Sequence, residues 1–259
     1  MKVTDIIAQF LAERDIERVY TVSGGGDLHL IDSICKREDI RIICPQNEQG
    51  ASFAADAEAR IVGIGCALAT SGPGATNFVT GIATSYYDSV PVLYLTGNQT
   101  RQRLGLDLGV RQFGFQSMPF VDLVKTITKY AVIVMDENDI LYELEKALWF
   151  SKEGRPGPVV VDIPDDIQRA DIDPKKLRHF WPDQLRNFWP DDGAYKAPDM
   201  TEVNAMLAAA KRPVIALGWG VHLAGARTEA MKMLDRLGVP CVTTWGGADI
   251  VSNHPIFVG

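Results

Sequence analysis

Glu48 is the residue whose type and setting first invite a chemical reading. It opens the segment Asn47-Glu48-Gln49-Gly50-Ala51, and the helix it starts continues through Ala54, Ala55 and Ala59. A carboxylate at a helix start is favoured by the helix dipole and needs no function to explain it. Small residues beside an acid also let a ligand approach closely, so both readings stand. Three other segments share this look: the glycine turn Ser23–Gly26, the turn Thr70-Ser71-Gly72-Pro73-Gly74-Ala75-Thr76-Asn77, and Thr96-Gly97-Asn98. Residues such as Ser23, Gly24, Thr70 and Asn77 can equally be plain turn residues, with glycine supplying positive φ and asparagine a local cap.

The elements around these segments predict how they are held. Apolar positions at Ile6, Ile7, Phe10 and Leu11 mark one helical face over 4–14, with Thr4 or Asp5 as cap. Strands are expected at Arg18–Val22, Ile40–Cys44, Gly65–Thr70, Val90–Thr96 and Pro158–Ile163. Helices are expected at Leu28–Cys35, Glu48–Arg60, Ala75–Tyr87 and Asn138–Ser151. Short apolar strands alternating with helices predict an α/β fold, a parallel sheet with helices on both faces. In such sheets the strand ends gather at one edge, where sites form.

Residues 166–200 break the rhythm and are expected to link two domains, 1–165 and 201–259. They carry a local duplication, Arg178-His179-Phe180-Trp181-Pro182-Asp183 and Arg186-Asn187-Phe188-Trp189-Pro190-Asp191, whose tryptophan–proline pairs are expected to dock the linker rather than bind a ligand. Alternation resumes with helices at Thr201–Ala210 and Arg227–Leu237 and strands at Val214–Leu217 and Pro240–Thr243. These make a partial second α/β domain, too small for a complete core, so the sequence is expected to continue in a longer protein.

The net charge of −7 and the absence of a basic run argue against a nucleic-acid partner. No stretch approaches the ~20 apolar residues of a membrane span, and the N-terminus does not read as a signal peptide. The four cysteines form no CxxC pair, and the histidines do not cluster with them, so neither a metal cage nor a disulfide framework is expected. A reduced, cytoplasmic setting fits.

The Asn47–Ala51 segment with Ala54-Ala55-Asp56 and Ala59-Arg60, followed by Thr70–Asn77, resembles the pyrimidine-binding domain of thiamin-diphosphate enzymes. Gly81-Ile82-Ala83-Thr84, Asp88-Ser89-Val90-Pro91, Gly154-Arg155-Pro156-Gly157-Pro158-Val159 and Asp162-Ile163-Pro164 extend the match. The likeness is strongest to acetolactate synthase, over 4–170, and weaker over 200–259, where it resembles the start of the family's central domain. It implies that Glu48 hydrogen-bonds the cofactor's aminopyrimidine ring nitrogen and so promotes loss of the thiazolium C2 proton. The carbanion then attacks a 2-keto acid, and decarboxylation follows because the cofactor accepts the electrons. A carboxyl in that role should sit in a dry pocket.

By the same resemblance Gln116, after Phe115, helps hold the substrate's oxyanion; otherwise Arg111–Pro119 is a surface loop. Ser23, Gly24, Thr70 and Asn77 line the pyrimidine pocket, and Arg155 matches a flavin contact of the FAD-containing members. Mg²⁺ and the diphosphate belong to a Gly-Asp-Gly…Asn motif in a C-terminal domain, which these 259 residues do not contain. A homodimer or tetramer with shared sites is implied as well.

The chain departs from the synthases at several points. Asn47 replaces their histidine, Ser23 a proline, Ser117 an acid and Asp165 a lysine, and the loop from Gly105 to Gln116 is longer. Two other readings remain beside a carboligase or decarboxylase. A dinucleotide-binding module would need GxGxxG spacing, which Ser23–Gly26 and Gly218-Trp219-Gly220 lack. The other is a catalytically silent fragment or paralogue that keeps only the dimer-forming domain.

Overall fold

In the computed structural model, residues 1–105, 108–185, 199–251 and 253–259 are described. They form two compact units, Met1–Pro190 and Asp191–Gly259. The first runs α1 (Val3–Ala12), β1 (Arg18–Val22), α2 (Leu28–Cys35), β2 (Arg41–Ile43), α3 (Glu48–Val62), β3 (Gly65–Ala69), α4 (Pro73–Thr76), α5 (Val79–Asp88), β4 (Val92–Asn98), α6 (Phe120–Val124), β5 (Tyr130–Ile133), α7 (Ile140–Lys152), β6 (Val159–Pro164) and α8 (Asp165–Arg169).

The six strands make one sheet in the order β2-β1-β3-β4-β6-β5, and every pairing is parallel. This is the predicted α/β architecture, and alternation along the strands explains it. On one face Cys66, Leu68, Leu93, Leu95, Val159 and Val161 pack with α1, α2 and α7. On the other, Ala67, Ala69, Val92, Tyr94 and Val160 pack with α3, α5 and α6. Strands covered on both sides read as continuous apolar runs. Each fully buried Leu or Ile contributes about 1.5–3 kcal/mol.

The second face is built from small residues, and this sets the position of α3. Ala51, Ala55 and Ala59 are buried against the sheet. A Cβ on Gly65 would lie 2.0 Å from the Ala55 carbonyl oxygen, and one on Gly81 would lie 2.0 Å from Ser52 Oγ. Only hydrogen fits at either place, so α3 lies unusually close to β3 and α5. It ends at Gly63, at φ 90°, whose N–H returns to Ala59 O.

Several boundaries differ from expectation for identifiable reasons. The single helix expected over Ala75–Tyr87 is two, α4 and α5, separated at Asn77 and Phe78. Neither Thr4 nor Asp5 caps α1; Lys2 occupies the cap position without a side-chain bond. Lys2 instead bridges Asp171, and Val3 N donates to Ala170 O, so the chain start is tied to the end of α8. Three elements, α6, β5 and α8, carry no clear periodicity in the sequence. β5 is a half-buried edge strand.

The segment expected to link two domains opens with α8 and continues along the first unit. Ile172 and Phe180 are buried there. Phe180 N donates to Glu145 Oε2 at 2.7 Å, and its ring meets Tyr142 edge-on. Trp181 of the first repeat is 64% exposed. The second repeat lies outside the described residues.

The second unit contains α9 (Met200–Ala209), β7 (Ile215–Leu217), α10 (Gly220–Leu223), α11 (Arg227–Leu237) and β8 (Cys241–Thr243). β7 and β8 pair in parallel over a small core that includes Leu217, Leu234, Cys241 and Ile250. Helix α9 has no buried residue.

Candidate cofactor and active site

Strands β1 and β3 are neighbours, with Val22 opposite Ala69 at their ends. The chain leaves β1 toward β2 on one side, and it reaches β3 only by crossing back through α3. This is the topological switch point of the sheet, and parallel α/β sheets bind ligands at such a crevice. The turn Ser23–Gly26 follows β1, and Thr70–Gly74 follows β3. A cavity of about 700 Å³ opens here, lined by Gly24, Gly26, Thr70, Asn98, Arg103 and Gln116 among others.

Thr70 organises the crevice. Gly26 N donates to its Oγ1 at 2.9 Å. A Cβ on Gly24 would fall 2.4 Å from its methyl, and one on Gly74 2.7 Å from the same atom. Gly24, Gly25 and Gly26 are not among the glycines at positive φ. Close approach therefore makes position 24 glycine, not the backbone conformation that the sequence suggests. The turn also rests on β4, because a Cβ on Gly97 would meet Gly26 O at 1.8 Å. From α8, Gln168 Nε2 donates to Gly26 O at 2.6 Å and to Ile163 O at 2.8 Å.

Glu48 is the first residue of α3. Asn47 caps the helix, its Oδ1 accepting from Gly50 N at 2.8 Å. Asn77, at the end of α4, donates from Nδ2 to Glu48 Oε2 at 2.8 Å. The other oxygen, Oε1, lies 3.4 Å from the point where a Cβ on Gly74 would sit. Glu48, Asn77, Gly74 and Thr70 are thus one continuous surface beside the cavity. Glu48 is half-buried in this chain rather than enclosed, as the resemblance led one to expect.

Gln116 reaches the crevice by a strained route. Its φ is +57°, uncommon for a residue with a side chain. Its carbonyl oxygen would be 2.4 Å from a Cβ on Gly72, itself at φ +63°. The loop is fastened by Gly114 N donating to Arg103 O at 3.0 Å and by Ser117 N donating to Gly114 O at 3.1 Å. Leu106 and Asp107 of the expected longer loop lie outside the described residues.

The structure does not gather every expected residue. Ser23 is exposed on its turn and does not line the cavity, and Glu48 and Asn77 lie beside it rather than in its lining. Arg155 precedes β6 and lies at the opposite sheet edge. Its Nε donates to Ser89 Oγ at 2.6 Å, and a second guanidinium nitrogen to Tyr87 O at 3.3 Å.

Sequence reasoning missed two buried acids and an arginine. Asp162 on β6 is 1% exposed, and its oxygens accept from Thr96 Oγ1 at 2.6 Å and Asn98 Nδ2 at 2.5 Å. Burial pushes its carboxyl up to about 7 against the pull of those two donors. Asn98 in turn accepts from Gln99 N, so Asp162 sets the cavity floor. Asp27, the residue before α2, is fully buried, and its Oδ1 accepts from Gly24 N at 2.8 Å. Burial raises it to about 6, the Gly24 bond opposes this, and the nearby Glu48 charge adds to it. A polar residue after three glycines was the available signal, but it reads as ordinary turn chemistry. Arg103 lines the cavity from the turn after β4, whereas its neighbour Arg101 is bound to Asp166 at 2.7 Å and to Glu137 at 3.2 Å.

An acid at a helix start, held by one amide and bordered by glycines, fits an aminopyrimidine with a polar ring edge. Among the described residues, no three metal-ligating side chains cluster.

The family described as thiamine pyrophosphate enzyme, N-terminal TPP binding domain, matches residues 1–124. The thiamine pyrophosphate enzyme central domain matches 200–259. The chloroplastic acetolactate synthase of Arabidopsis thaliana is 33% identical over 250 residues, covering 95% of this chain and 35% of that protein. The acetolactate synthase isozyme 3 large subunit of Escherichia coli (strain K12) is 34% identical over 251 residues, covering 94% and 41%. The acetolactate synthase of Arthrospira platensis is 33% identical over 261 residues, covering 96% and 42%. The chain therefore spans less than half the length of these relatives. By these matches the chain belongs to the thiamin-diphosphate-dependent enzyme family and is similar to its acetolactate synthases.

Proposed function

We propose that this chain supplies the pyrimidine-binding part of an enzyme that decarboxylates a 2-keto acid and transfers the acyl unit to a second carbonyl compound. The observation that carries the reading is the Glu48–Asn77 pair against Gly74, whose neighbour Thr70 lines the crevice. Thiamin diphosphate, when bound, supplies the carbon nucleophile and accepts the electrons released on decarboxylation.

The chain's own residues have separable tasks. Glu48 holds a proton at the pyrimidine ring nitrogen. Asn77 fixes one Glu48 oxygen and so aims the carboxyl. Thr70 and the glycines around it leave a close, side-chain-free wall. Gln116 presents an amide donor toward the keto oxygen. Arg103, among the cavity-lining residues, is suited to the substrate carboxylate.

Mg²⁺ accompanies the diphosphate in this reading. Flavin, which the resemblance carries through Arg155, would lie at the far sheet edge. A cytoplasmic protein fits the reading, and no described helix is long and apolar enough to cross a membrane. A second reading, a decarboxylase or lyase of the same superfamily, is favoured by Asp165. It stands where the synthases carry lysine and pairs with Arg169 at 2.5 Å beside the cavity.

Incubation of the full-length enzyme with pyruvate, thiamin diphosphate and Mg²⁺, with products separated by chromatography, tests the proposal. Acetolactate supports the carboligase. Aldehyde without a ligated product supports the second reading. No consumption of any 2-keto acid by the loaded enzyme contradicts both.

A further inference from the structure

The crevice has polar walls, and the ends of two strands build them. β4 and β6 finish side by side, with Asn98 opposite Pro164. Gln99 and Thr100 therefore leave the sheet next to Asp165, the first residue of α8. Gln99 Cγ lies 2.9 Å from the place of a Cβ on Gly114, which ties it to the loop carrying Phe115 and Gln116. Gln168 of α8 holds Gly26 O at 2.6 Å, so the same helix is fastened to the glycine turn. Together these segments surround the cavity of about 700 Å³.

Asn98 is committed within the chain, donating to Asp162 and accepting from Gln99 N. The side chains of Ser71, Gln99, Thr100, Gln102 and Gln116 also line the cavity, and they have no hydrogen-bond partner among the described residues. Phe115 is the one apolar side chain among the described lining residues. An apolar ligand would strip water from these amides and hydroxyls without replacing its hydrogen bonds. A ligand that carries hydroxyls replaces them, so the lining discriminates in favour of hydroxyls.

The charges point the same way. Among the described lining residues the charged ones are Arg103, Asp165 and Arg169. Arg169 Nη2 is 2.5 Å from Asp165 Oδ2, so that cation is already paired. Arg103 is assigned above to the donor's carboxylate. The other oxygen, Asp165 Oδ1, is 3.7 Å from His29 Nε2, beyond hydrogen-bond distance, and can accept from a ligand hydroxyl. A ligand carboxylate in the same place would meet a like charge, which is a repulsive means of selection.

We propose that the acyl acceptor of this site is a neutral, hydroxylated aldehyde or ketone, and that Asp165 is the residue that selects it over a second 2-keto acid. This rests on the thiamin reading, with pyruvate as donor. The reaction needs no oxidant or reductant. The C1–C2 bond of pyruvate breaks with release of CO₂. The electron pair left on C2 forms the new bond to the acceptor's carbonyl carbon, and the acceptor oxygen takes up one proton.

Three acceptors, each offered to the full-length enzyme with pyruvate, thiamin diphosphate and Mg²⁺, test this. They are glyceraldehyde, propanal, which has the same carbon chain without the hydroxyls, and 2-oxobutanoate, which brings a carboxylate. Ligated products are separated by chromatography, and kcat/KM is counted per free carbonyl. Glyceraldehyde should exceed each of the other two by about 10- to 100-fold. In Asp165→Asn the ratio of glyceraldehyde to 2-oxobutanoate should fall by about 10-fold, because the repelling charge is gone and Arg169 is released to meet a carboxylate. Ratios taken on one preparation do not depend on how much of it is folded. Wild-type enzyme that uses propanal or 2-oxobutanoate as well as glyceraldehyde overturns the proposal, and so does an unmoved ratio in Asp165→Asn. Release of acetaldehyde with none of the three ligated overturns it too, while leaving the thiamin reading in place. No consumption of any 2-keto acid by the loaded enzyme would instead remove that reading, and this proposal with it.

Discussion

Asn77 fixes one oxygen of Glu48 through a single amide bond, and that bond is the most specific polar contact in the proposed site. A hydrogen bond to a charged group is worth about 1.5–3 kcal/mol. Asn77→Ala should therefore lower kcat/KM by about 10- to 100-fold while leaving far-ultraviolet circular dichroism unchanged. Full retention of kcat/KM would show that Glu48 is aimed by something else. Thr70 offers a second test. Gly74→Ala places a methyl 2.7 Å from the Thr70 methyl and should weaken thiamin diphosphate binding. Thr70→Ser removes that methyl but keeps the hydroxyl that accepts from Gly26 N. The double variant Gly74→Ala/Thr70→Ser should recover most of the affinity, and a purely additive loss, read by calorimetry, would argue against the steric account.

The elements explain why these residues meet. The alanine face of α3 brings the helix start to the crevice, and the missing Cβ atoms of Gly65 and Gly81 let it lie flat. Gly65→Ala drives a methyl into the Ala55 carbonyl and should cost about 1–3 kcal/mol in urea unfolding, with activity loss following from displacement of α3. Asp162 ties β6 to β4, and its carboxyl is raised to about 7 by burial. The folded state therefore binds a proton more tightly than the unfolded chain. This group contributes most stability below the unfolded value near 3.8, and that contribution is lost as pH rises toward 7. Asp162→Asn mimics the protonated form, since its amide can donate to Thr96 Oγ1 and its oxygen can accept from Asn98. The variant should be more stable than wild type at pH 8, and the gap should close at pH 4. Melting curves that run parallel at all pH values would contradict this. The same packing explains what the sequence made legible. Buried strands and alanine-rich α3 stood out because parallel sheets need continuous apolar runs and close helices. β5 and α6 did not, being short and half-buried or non-periodic. Asp27 and Asp162 were hidden because burial of a lone acid is set by distant segments, not by its neighbours in sequence.

At the scale of the molecule, the proposed function makes the crevice one half of a site. Glu48 is half-buried, and the chain spans 35–42% of the length of the relatives compared above. The reading therefore calls for the diphosphate end of the cofactor to be held elsewhere and for a second copy to complete the site. Closed symmetric dimers are the simplest assembly that does this. Specific activity of the full-length enzyme should fall on dilution in step with dissociation seen by analytical ultracentrifugation, and a fully active monomer at nanomolar concentration would contradict the shared site. The central claim is narrower: Glu48 holds the proton on which the chemistry depends. The most direct measurement is turnover of full-length Glu48→Gln at saturating thiamin diphosphate and Mg²⁺, with melting temperature and cofactor affinity followed alongside. An amide of nearly the same shape keeps the Asn77 surface but cannot share the proton. The account predicts a folded variant that still binds cofactor and loses about 10²- to 10⁴-fold in kcat. A folded, cofactor-loaded variant that keeps more than about half of wild-type turnover, far outside that range, would contradict it.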